Sequence, residues 1–394
     1  MKILLGVTGS VATGIISKTI DALEKQGHEI RVVSTERAKM FMSPADTKDL
    51  RFWSQPYSGG FEGLDPQTLY GNRNEYHPKY GWQDEDEFTY NSSFYYKKGN
   101  PIFHILLRDW ADALLIAPCS ANTMAKMANG ICDNLLTSIF RAWDFKKPVF
   151  LAPAANTQMW LHPVTQEHIK KLSGWGVKLI YPTVKKLSCG EFGIGGIANI
   201  TTIANIIGGH TWQAPIAQQY KLIPPYYPVF PHLGAFGAVR KHDIHTGCDI
   251  YCDENSPVYA VEDGTVVARG QFTGSRVGVP WYNNTRYVSI KGKSGIVVYG
   301  EIKYDKDVVA GGHVVKGELL GNVVKLLKHP PRKDIEHHSS SMLHIELLKQ
   351  DSKLRYAPGW HHGEKSHPDV LDPTPYLELC SPNTIGQKNE KSAV

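Results

Sequence analysis

Short apolar runs alternate with helical patterns through the first 210 residues, and this alternation constrains the fold more than any other feature. The runs read "KILLGV", "EIRVVST", "DALLIAP", "PVFLAP" and "VKLIYP". Between the first two, residues 14–27 carry apolar side chains at helical spacing and end at Gly27, a residue typical of helix C-termini. Strand–helix alternation of this kind predicts an α/β fold with a doubly wound parallel sheet covered on both faces.

The rest of the chain divides by composition. Residues 54–100 interrupt the alternation with Tyr, Gly, Asn and acidic residues, which predicts a long insertion within a first domain spanning 1–210. Residues 211–235 are rich in Pro and aromatics and predict an extended linker. Short β-type runs with Gly turns then predict a smaller all-β domain over 236–380, with a hairpin at Asp263-Gly264. A disordered tail is predicted for 381–394.

Composition excludes several classes of protein. The formal net charge is only +5 over 394 residues, without a basic stripe, which argues against a nucleic-acid partner. No apolar segment reaches the length of about 18 residues that a membrane span needs, and the N-terminus lacks the features of a signal peptide. Six scattered cysteines do not form a disulfide framework pattern. A cytoplasmic protein is the expectation.

Loops rich in small polar residues follow four of the predicted strands. They are Thr8–Ala12, Ser34–Glu36, Ser120–Thr123 and Pro153–Asn156. The carboxyl ends of strands in such sheets meet at one edge, where ligands bind. Hydroxyls and backbone N–H groups at helix N-termini hold phosphate there, although each of these residues taken singly is also a common helix N-cap. Together the loops predict a site for a phosphorylated ligand.

Three longer motifs carry a family resemblance. The segments "HILLRDWADALLIAPCSANTMAKMANGICDNLLTSIFRAWD", "APAANTQMW" and "LSCGEFGIGGIA" resemble phosphopantothenoylcysteine decarboxylase and related flavin-containing cysteine decarboxylases. The resemblance runs from Met1 to about Ile203 and implies a flavodoxin-like fold that binds FMN. It also implies decarboxylation of 4′-phosphopantothenoylcysteine to 4′-phosphopantetheine, a step of coenzyme A biosynthesis. The FMN contacts implied are Gly9, Ser10, Val11, Ser34, Thr35, Ser120, Asn122, Thr123 and Ala155.

The same resemblance assigns the catalytic groups and the assembly. His104 matches the active-site histidine of the family, and histidine is a residue type suited to proton transfer near neutral pH. Asn156 matches the asparagine that binds the substrate carboxylate, and Cys189 the proton donor on a mobile flap. The family's site lies between subunits, which implies a homotrimer or a multiple of trimers.

One residue departs from the family pattern and keeps alternatives open. The family usually has Pro-Ala-Met-Asn where this chain reads Pro153-Ala154-Ala155-Asn156. Loss of the large side chain at Ala155 loosens the packing or admits another substrate, so a peptidyl-cysteine decarboxylase is an alternative. Some homologues instead serve as non-catalytic regulatory subunits of protein phosphatases, but those usually lack part of the set formed by His104, Asn156 and Cys189.

The C-terminal half contains a second candidate centre. "HTGCD" places His245 and Asp249 four residues apart and "MLHIE" adds His344, a set of two histidines and one carboxylate typical of catalytic zinc sites. Residues 235–350 resemble lysostaphin-type zinc endopeptidases, which implies that these three residues are zinc ligands. Met342 and Glu301 stand where that family has two catalytic histidines. His337 and His338 are either spatial substitutes for them or residues of a solvated loop. We therefore expect a degenerate module for zinc binding or assembly, and an active peptidase on a flavoprotein scaffold is the less favoured alternative.

Overall fold

The computed structural model describes residues 1–39, 41, 69–71, 74–77, 81–84, 103–217, 227–327 and 341–380. The chain divides into two compact units, Met1–Gly208 and Gly209–Val394, called here the α/β unit and the β unit. The predicted insertion is described only at three short strands. The predicted tail 381–394, together with His337 and His338, lies outside the described residues.

A parallel sheet forms the centre of the α/β unit. Its strands are ordered β3-β2-β1-β6-β7-β8, and every pairing between them is parallel. Two antiparallel pairs, β4–β5 and β9–β10, complete the unit. The strands are β1 (Lys2–Val7), β2 (Glu29–Ser34), β3 (Leu69–Gly71), β4 (Asn74–His77), β5 (Gly81–Asp84), β6 (Ala113–Cys119), β7 (Val149–Pro153), β8 (Lys178–Leu179), β9 (Thr183–Lys186) and β10 (Phe192–Gly196).

The helices between these strands begin at side chains that cap them. Ser120, Asn134 and Asn199 each accept a hydrogen bond from a backbone N–H in the first turn of their helix. The helices are α1 (Ile16–Glu24), α2 (Glu36–Lys39), α3 (Phe103–Trp110), α4 (Ala121–Ala128), α5 (Leu135–Arg141), α6 (Thr157–Leu161), α7 (Pro163–Gly174) and α8 (Ile200–Ile207), with a 3-10 turn at Val11–Ile15 before α1.

Burial follows from the apolar runs. All seven residues of β6 are buried, as are the last five of β1 and of β2, because both faces of these central strands are covered. The doubly wound parallel sheet predicted from the alternation is therefore confirmed, as is the flavodoxin-like fold that the family resemblance implies. Gly27 adopts a φ of 79° in the turn after α1, the left-handed conformation that favours glycine.

The β unit is built on one antiparallel sheet. Its path is β11-β18-β15-β14-β13-β16, with β12 paired to β17, β17 to β15 and β19 to β18. The elements are β11 (Cys248–Tyr251), β12 (Pro257–Tyr259), β13 (Gly264–Gln271), β14 (Arg286–Gly292), β15 (Ile296–Tyr304), β16 (His313–Val314), β17 (Leu319–Val323), β18 (Met342–Leu348), β19 (Val370–Leu371) and α9 (Thr374–Glu378). The predicted all-β character of this half is confirmed.

The hairpin predicted at Asp263-Gly264 is wrong. β12 before it pairs with β17, whereas β13 after it pairs with β14 and β16. Asp263 instead accepts a hydrogen bond from the backbone N–H of Lys316 at 2.7 Å. Non-local pairing overrides the local turn signal here.

Residues at the start of the predicted linker pack within the β unit. Trp212 is fully buried, stacks on Tyr376 with a centroid separation of 4.8 Å, and donates from Nε1 to Ser294 Oγ at 3.1 Å. Ile216 is also buried and forms a bridge with Val258. The described part of the chain has no helix of the length and apolarity needed to cross a membrane.

Candidate functional site

A cleft of about 980 Å³ opens at the carboxyl ends of β1, β2, β6 and β7. This is where the strand order reverses on either side of β1, the usual position of ligands in doubly wound sheets. Small-molecule sites typically measure about 300–1,000 Å³, so the cleft is large enough for a cofactor with a substrate beside it. The predicted site residues that line it are Gly9, Ser10, Val11, Thr35, Ser120, Asn122, Thr123, Ala155, Asn156 and Cys189.

Hydrogen bonds fix two of the lining loops relative to each other. Thr8 Oγ1 donates to the carbonyl oxygen of Pro118 at 2.8 Å and accepts from the backbone N–H of Ser120 at 2.7 Å. The end of β1 is thereby joined to the end of β6. Both loops line the cleft from this edge of the sheet.

The small polar side chains of the loops also cap the helices behind them. Ser10 accepts from Ala12 N at 3.2 Å, Ser120 from Thr123 N at 3.2 Å, and Asn156 from Gln158 N at 2.9 Å. The plain N-cap role considered for each residue is therefore real. It does not oppose ligand binding, because these caps position the helix N-termini that line the cleft.

Ser34 is the one predicted cofactor contact outside the cleft lining. Its side chain is fully buried at the end of β2, and its Oγ has no hydrogen-bond partner among the described residues. The next residue, Thr35, lines the cleft and caps α2 by accepting from Ala38 N at 3.2 Å. The second loop thus contributes Thr35 directly, and its Ser34 lies behind it.

Asn156 and Cys189 meet at the rim of the cleft. Asn156 Nδ2 lies 3.5 Å from Cys189 Sγ and donates to Glu191 Oε2 at 2.5 Å. Cys189 is exposed, on the turn of the β9–β10 hairpin, where Gly190 has a φ of 91°. An amide, a thiol and a carboxylate therefore converge at the rim of the cleft.

The hairpin that carries Cys189 is anchored to the loop after β7. Ala155 N donates to Gly195 O at 2.9 Å, and Thr157 Oγ1 donates to Ile194 O at 2.8 Å. A Cβ atom at Gly195 would lie 2.0 Å from the carbonyl oxygen of Ala155, and its φ of 132° favours glycine. The close approach of these two backbones brings the thiol to Asn156.

His104 is not brought to this cleft within one chain. It is the second residue of α3, half-buried, and it does not appear among the described residues of the lining. The structure thus brings together two of the three predicted catalytic side chains.

The sequence reasoning missed a group of charged side chains around the cleft. Arg37, Lys126, Lys185 and Lys186 line it, and burial lowers the pKa of Lys185. Two signals were available: Arg37 follows the loop after β2 closely, and Lys185-Lys186 directly precede the motif with Cys189. These cations suit a phosphorylated ligand.

The three predicted metal ligands converge in the β unit. Asp249 Oδ1 lies 2.7 Å from His344 Nδ1 and 3.2 Å from His245 Nε2, and the two ring nitrogens are 3.2 Å apart. Tetrahedral zinc with bonds of about 2.0–2.1 Å separates its ligands by about 3.3–3.4 Å, close to this triangle. All three side chains are buried.

Further contacts orient these three side chains as metal ligands require. His245 Nδ1 lies 2.9 Å from the carbonyl oxygen of Ala235, and His344 Nε2 lies 3.1 Å from Glu346 Oε1. Partners at the outward ring nitrogens aim the other nitrogens inward, the usual outer shell of a zinc histidine. The donor set therefore fits a divalent cation.

The charges at the centre are paired with one another. Arg240 donates from Nη2 to Asp249 Oδ2 at 2.5 Å. Burial alone would raise the pKa of Asp249, but the charges of His245 and Arg240 hold it well below its ordinary value. Burial would lower the pKa of His344, but its hydrogen bonds to Asp249 and Glu346 raise it to about 10. The centre thus holds an ionised carboxylate away from solvent.

Comparison with known proteins finds a family match in each half of the chain. Residues 1–211 match the flavoprotein family, and residues 243–355 match peptidase family M23. The chain is 40% identical to phosphopantothenoylcysteine decarboxylase of Mus musculus over 206 residues, which cover 51% of this chain and 83% of the relative. It is 48% identical to phosphopantothenoylcysteine decarboxylase of Arabidopsis thaliana over 35% of this chain and 64% of the relative, less than two thirds of that protein's length.

Solved structures are similar to the same half. A PPC decarboxylase in complex with pantothenoylaminoethenethiol is 36% identical, covers 52% of this chain and 95% of its own, and has a TM-score of 0.41. The FMN binding protein AtHal3 is 38% identical, covers 52% of this chain and 94% of its own, and has a TM-score of 0.40. The family model and the mouse relative show that the chain belongs to the flavoprotein family that includes the phosphopantothenoylcysteine decarboxylases, and residues 243–355 are similar to peptidase family M23.

Proposed function

We propose that the α/β unit binds FMN and decarboxylates 4′-phosphopantothenoylcysteine to 4′-phosphopantetheine, a step of coenzyme A biosynthesis. The observation that carries the proposal is the meeting of Asn156 and Cys189, 3.5 Å apart, at the rim of the cleft at the strand switch point. Family membership and the relatives named above support the same substrate.

The cleft offers what FMN requires. Backbone N–H groups of the loops after β1 and β6, with Arg37 and Lys126 nearby, suit its phosphate. When bound, FMN would supply the reversible two-electron oxidation that makes loss of CO2 from a cysteine carboxyl possible. The overall reaction is redox-neutral: the Cα–carboxylate bond breaks, CO2 leaves, and a proton replaces it.

The chain's own residues position the substrate and move protons. Asn156 Nδ2 is an uncharged donor for the substrate carboxylate, which it can bind without over-stabilising that anion before it is lost. Cys189 donates a proton to the product from the hairpin turn. His104 acts as the base or positions the substrate.

A homotrimer follows from the position of His104 in this proposal. Since His104 lies outside the cleft lining of its own chain, a neighbouring copy would supply it. We therefore propose a site shared between subunits of a cytoplasmic trimer or multiple of trimers, with a phosphorylated small molecule as the partner and no nucleic acid or membrane.

The test is mass spectrometry of 4′-phosphopantothenoylcysteine incubated with the FMN-loaded protein. Loss of CO2 that His104→Asn abolishes and His168→Asn preserves supports the proposal. Mixed assemblies of His104→Asn and Cys189→Ser chains should regain activity, because some shared sites then combine an intact His104 with an intact Cys189. Intact substrate with bound flavin would contradict the proposal.

Ala155 favours a second candidate. It lines the cleft where the family usually has methionine, which widens the site. A peptide ending in cysteine is therefore the second substrate to assay, and turnover of the peptide in place of the pantothenoyl compound would favour peptidyl-cysteine decarboxylation. Absence of both activities would favour the non-catalytic alternative, a regulatory flavoprotein.

For the β unit we propose zinc binding at His245, Asp249 and His344 without peptide-bond hydrolysis. The oriented donor triangle supports the metal, and the replacement of two family histidines by Met342 and Glu301 opposes hydrolysis. The predicted domain limits, with a linker at 211–235 and a β domain over 236–380, are part of this proposal.

A further inference from the structure

The side-chain amide of Asn156 has contacts on both sides that fix its orientation. Its Oδ1 accepts from the backbone N–H of Gln158 at 2.9 Å, and this bond turns Nδ2 toward the β9–β10 hairpin. An amide nitrogen has two N–H groups to donate. Nδ2 lies 2.5 Å from Glu191 Oε2 and 3.5 Å from Cys189 Sγ. Both donors of the amide therefore have partners on the hairpin.

The contact with Glu191 competes with the role proposed for Asn156. In that role Nδ2 donates to the carboxylate of the substrate, and the acceptor that it has in the structure is also a carboxylate. Two carboxylates held on one nitrogen would repel each other. Hydrogen bonds to a charged acceptor are roughly twice as strong as those to a neutral one. The substrate carboxylate therefore has to displace Glu191, the stronger of the two acceptors on the hairpin.

Glu191 and Cys189 lie on the same exposed turn. Leu187 N donates to Glu191 O at 2.7 Å, and Gly190 N donates to Leu187 O at 2.9 Å, so the turn is closed by its own backbone. Residues 188–191 are all exposed. A Cβ atom at Gly190 would meet no atom of the described residues within 4 Å. The contacts with Asn156 thus tie an exposed tip to the rim of the cleft, and both side chains move with that tip.

We propose that Glu191 exchanges with the substrate carboxylate at Asn156 and thereby controls when the thiol of Cys189 reaches the substrate. The inference rests on the proposed decarboxylation and adds a positioning residue to it. When the substrate carboxylate binds Nδ2, Glu191 is displaced and the turn moves away with Cys189. When CO2 has left, Nδ2 has lost that acceptor, and Glu191 returns to it and brings Cys189 back. The thiol then donates its proton after the carbon–carbon bond has broken.

The exchange predicts a difference between substrate and product. The substrate has to displace Glu191, whereas 4′-phosphopantetheine has no carboxylate and leaves the contact with Asn156 intact. Removing the charge of Glu191 should therefore tighten substrate binding and leave product binding unchanged. It should also weaken the return of Glu191 to Asn156 and so slow proton donation. If Glu191 only stabilised the hairpin, its replacement would weaken the binding of both ligands.

The test is steady-state kinetics of the FMN-loaded full chain with Glu191→Gln. We expect kcat and KM for 4′-phosphopantothenoylcysteine each to fall at least about 5-fold, because a neutral acceptor replaces a charged one. The inhibition constant of 4′-phosphopantetheine should stay the same. Glu191→Asp keeps the charge and should restore KM toward its original value. Glu167→Gln, the same change at an exposed position outside the cleft lining, should alter none of these constants.

Calorimetric titration with the same two ligands separates this inference from the proposed function. On His104→Asn chains, which the proposed function expects to be inactive, it measures affinity apart from turnover. If decarboxylation occurs but Glu191→Gln leaves substrate affinity unchanged, or weakens substrate and product alike, the exchange is wrong and the proposed function stands. If the unaltered chain returns the substrate intact, the proposed function is wrong, and tighter substrate binding in Glu191→Gln would still support the exchange. If neither ligand binds the unaltered chain, both are wrong.

Discussion

The two candidate sites treat their functional side chains in opposite ways. In the α/β unit Asn156 and Cys189 stand at the rim of an open cleft, and Cys189 is exposed. In the β unit the side chains of His245, Asp249 and His344 are buried and lie within hydrogen-bond distance of one another. A group that must meet a substrate stays accessible, whereas buried polar groups must satisfy each other. Changes at the first site should therefore alter activity, and changes at the second should alter stability.

The largest effect is expected at Cys189. Cys189→Ser removes the proposed proton donor, and loss of one positioned acid typically lowers the rate about 10²–10⁴-fold. Single-turnover kinetics would measure it, with thermal unfolding unchanged because the side chain is exposed. Cys132→Ser, an exposed cysteine outside the cleft lining, is the control. A similar loss in both variants would mean that the thiol of Cys189 has no special role.

Asp249→Asn should produce the opposite result. It removes the negative charge that pairs with Arg240 and the two buried histidines, and breaking a buried ion pair lowers the free energy of unfolding by about 3–5 kcal/mol. Hydrogen exchange should then rise in β11 and β18, with decarboxylation unchanged. Asp351→Asn, at an exposed position, should change neither measurement. Loss of decarboxylation in Asp249→Asn would show that the two sites depend on each other, and the contrast between them would be wrong.

Ala155→Met should shift substrate preference without abolishing activity. A larger side chain narrows the cleft, so we expect kcat/KM for 4′-phosphopantothenoylcysteine relative to a cysteine-ended peptide to rise on the order of 10-fold. Competition between the two substrates measures this ratio directly. An unchanged ratio would show that position 155 does not select the substrate.

Ser120→Ala tests the double role of a capping residue and has the smallest expected effect. The loss of the bond from Thr123 N should cost about 0.5–2 kcal/mol of unfolding free energy. Asn199→Ala removes an equivalent cap from α8, and Asn199 is not among the residues that line the cleft. Both should destabilise the α/β unit, but only Ser120→Ala should weaken FMN binding. Equal FMN affinity in the two variants would show that Ser120 acts only as a helix cap and does not contribute to FMN binding.

Local patterns predicted what depends on local physics. The short apolar runs at β1 and β6 alternate with helical patterns and end in polar turns, which identifies them as buried strands from the sequence. The grouping of the loops after these strands could also be predicted, because the carboxyl ends of parallel strands lie at one edge of the sheet. The pairing of β12 with β17 could not be predicted, because the Asp263-Gly264 turn signal is local whereas the pairing spans about 60 residues.

The candidate sites divide in the same way. Spacing indicated His245 and Asp249, but only the register of β14 against β15 shows the β-bulge at Gly300 and Glu301. The contact of Glu191 with Asn156 likewise depends on the packing of the β9–β10 hairpin. The position of His104 likewise depends on the fold, because α3, which carries it, begins outside the loops that line the cleft.

The pairing of Asp249 with His344 between β11 and β18 has a kinetic consequence. Asp249 and His344 are 95 residues apart in the chain, and contacts of that separation close late because of their loop entropy. A slip of one residue between β11 and β18 would send His344 to the opposite face. A cation captured there would thus mark molecules whose strands have reached their final register, and would slow their return to the unfolded ensemble.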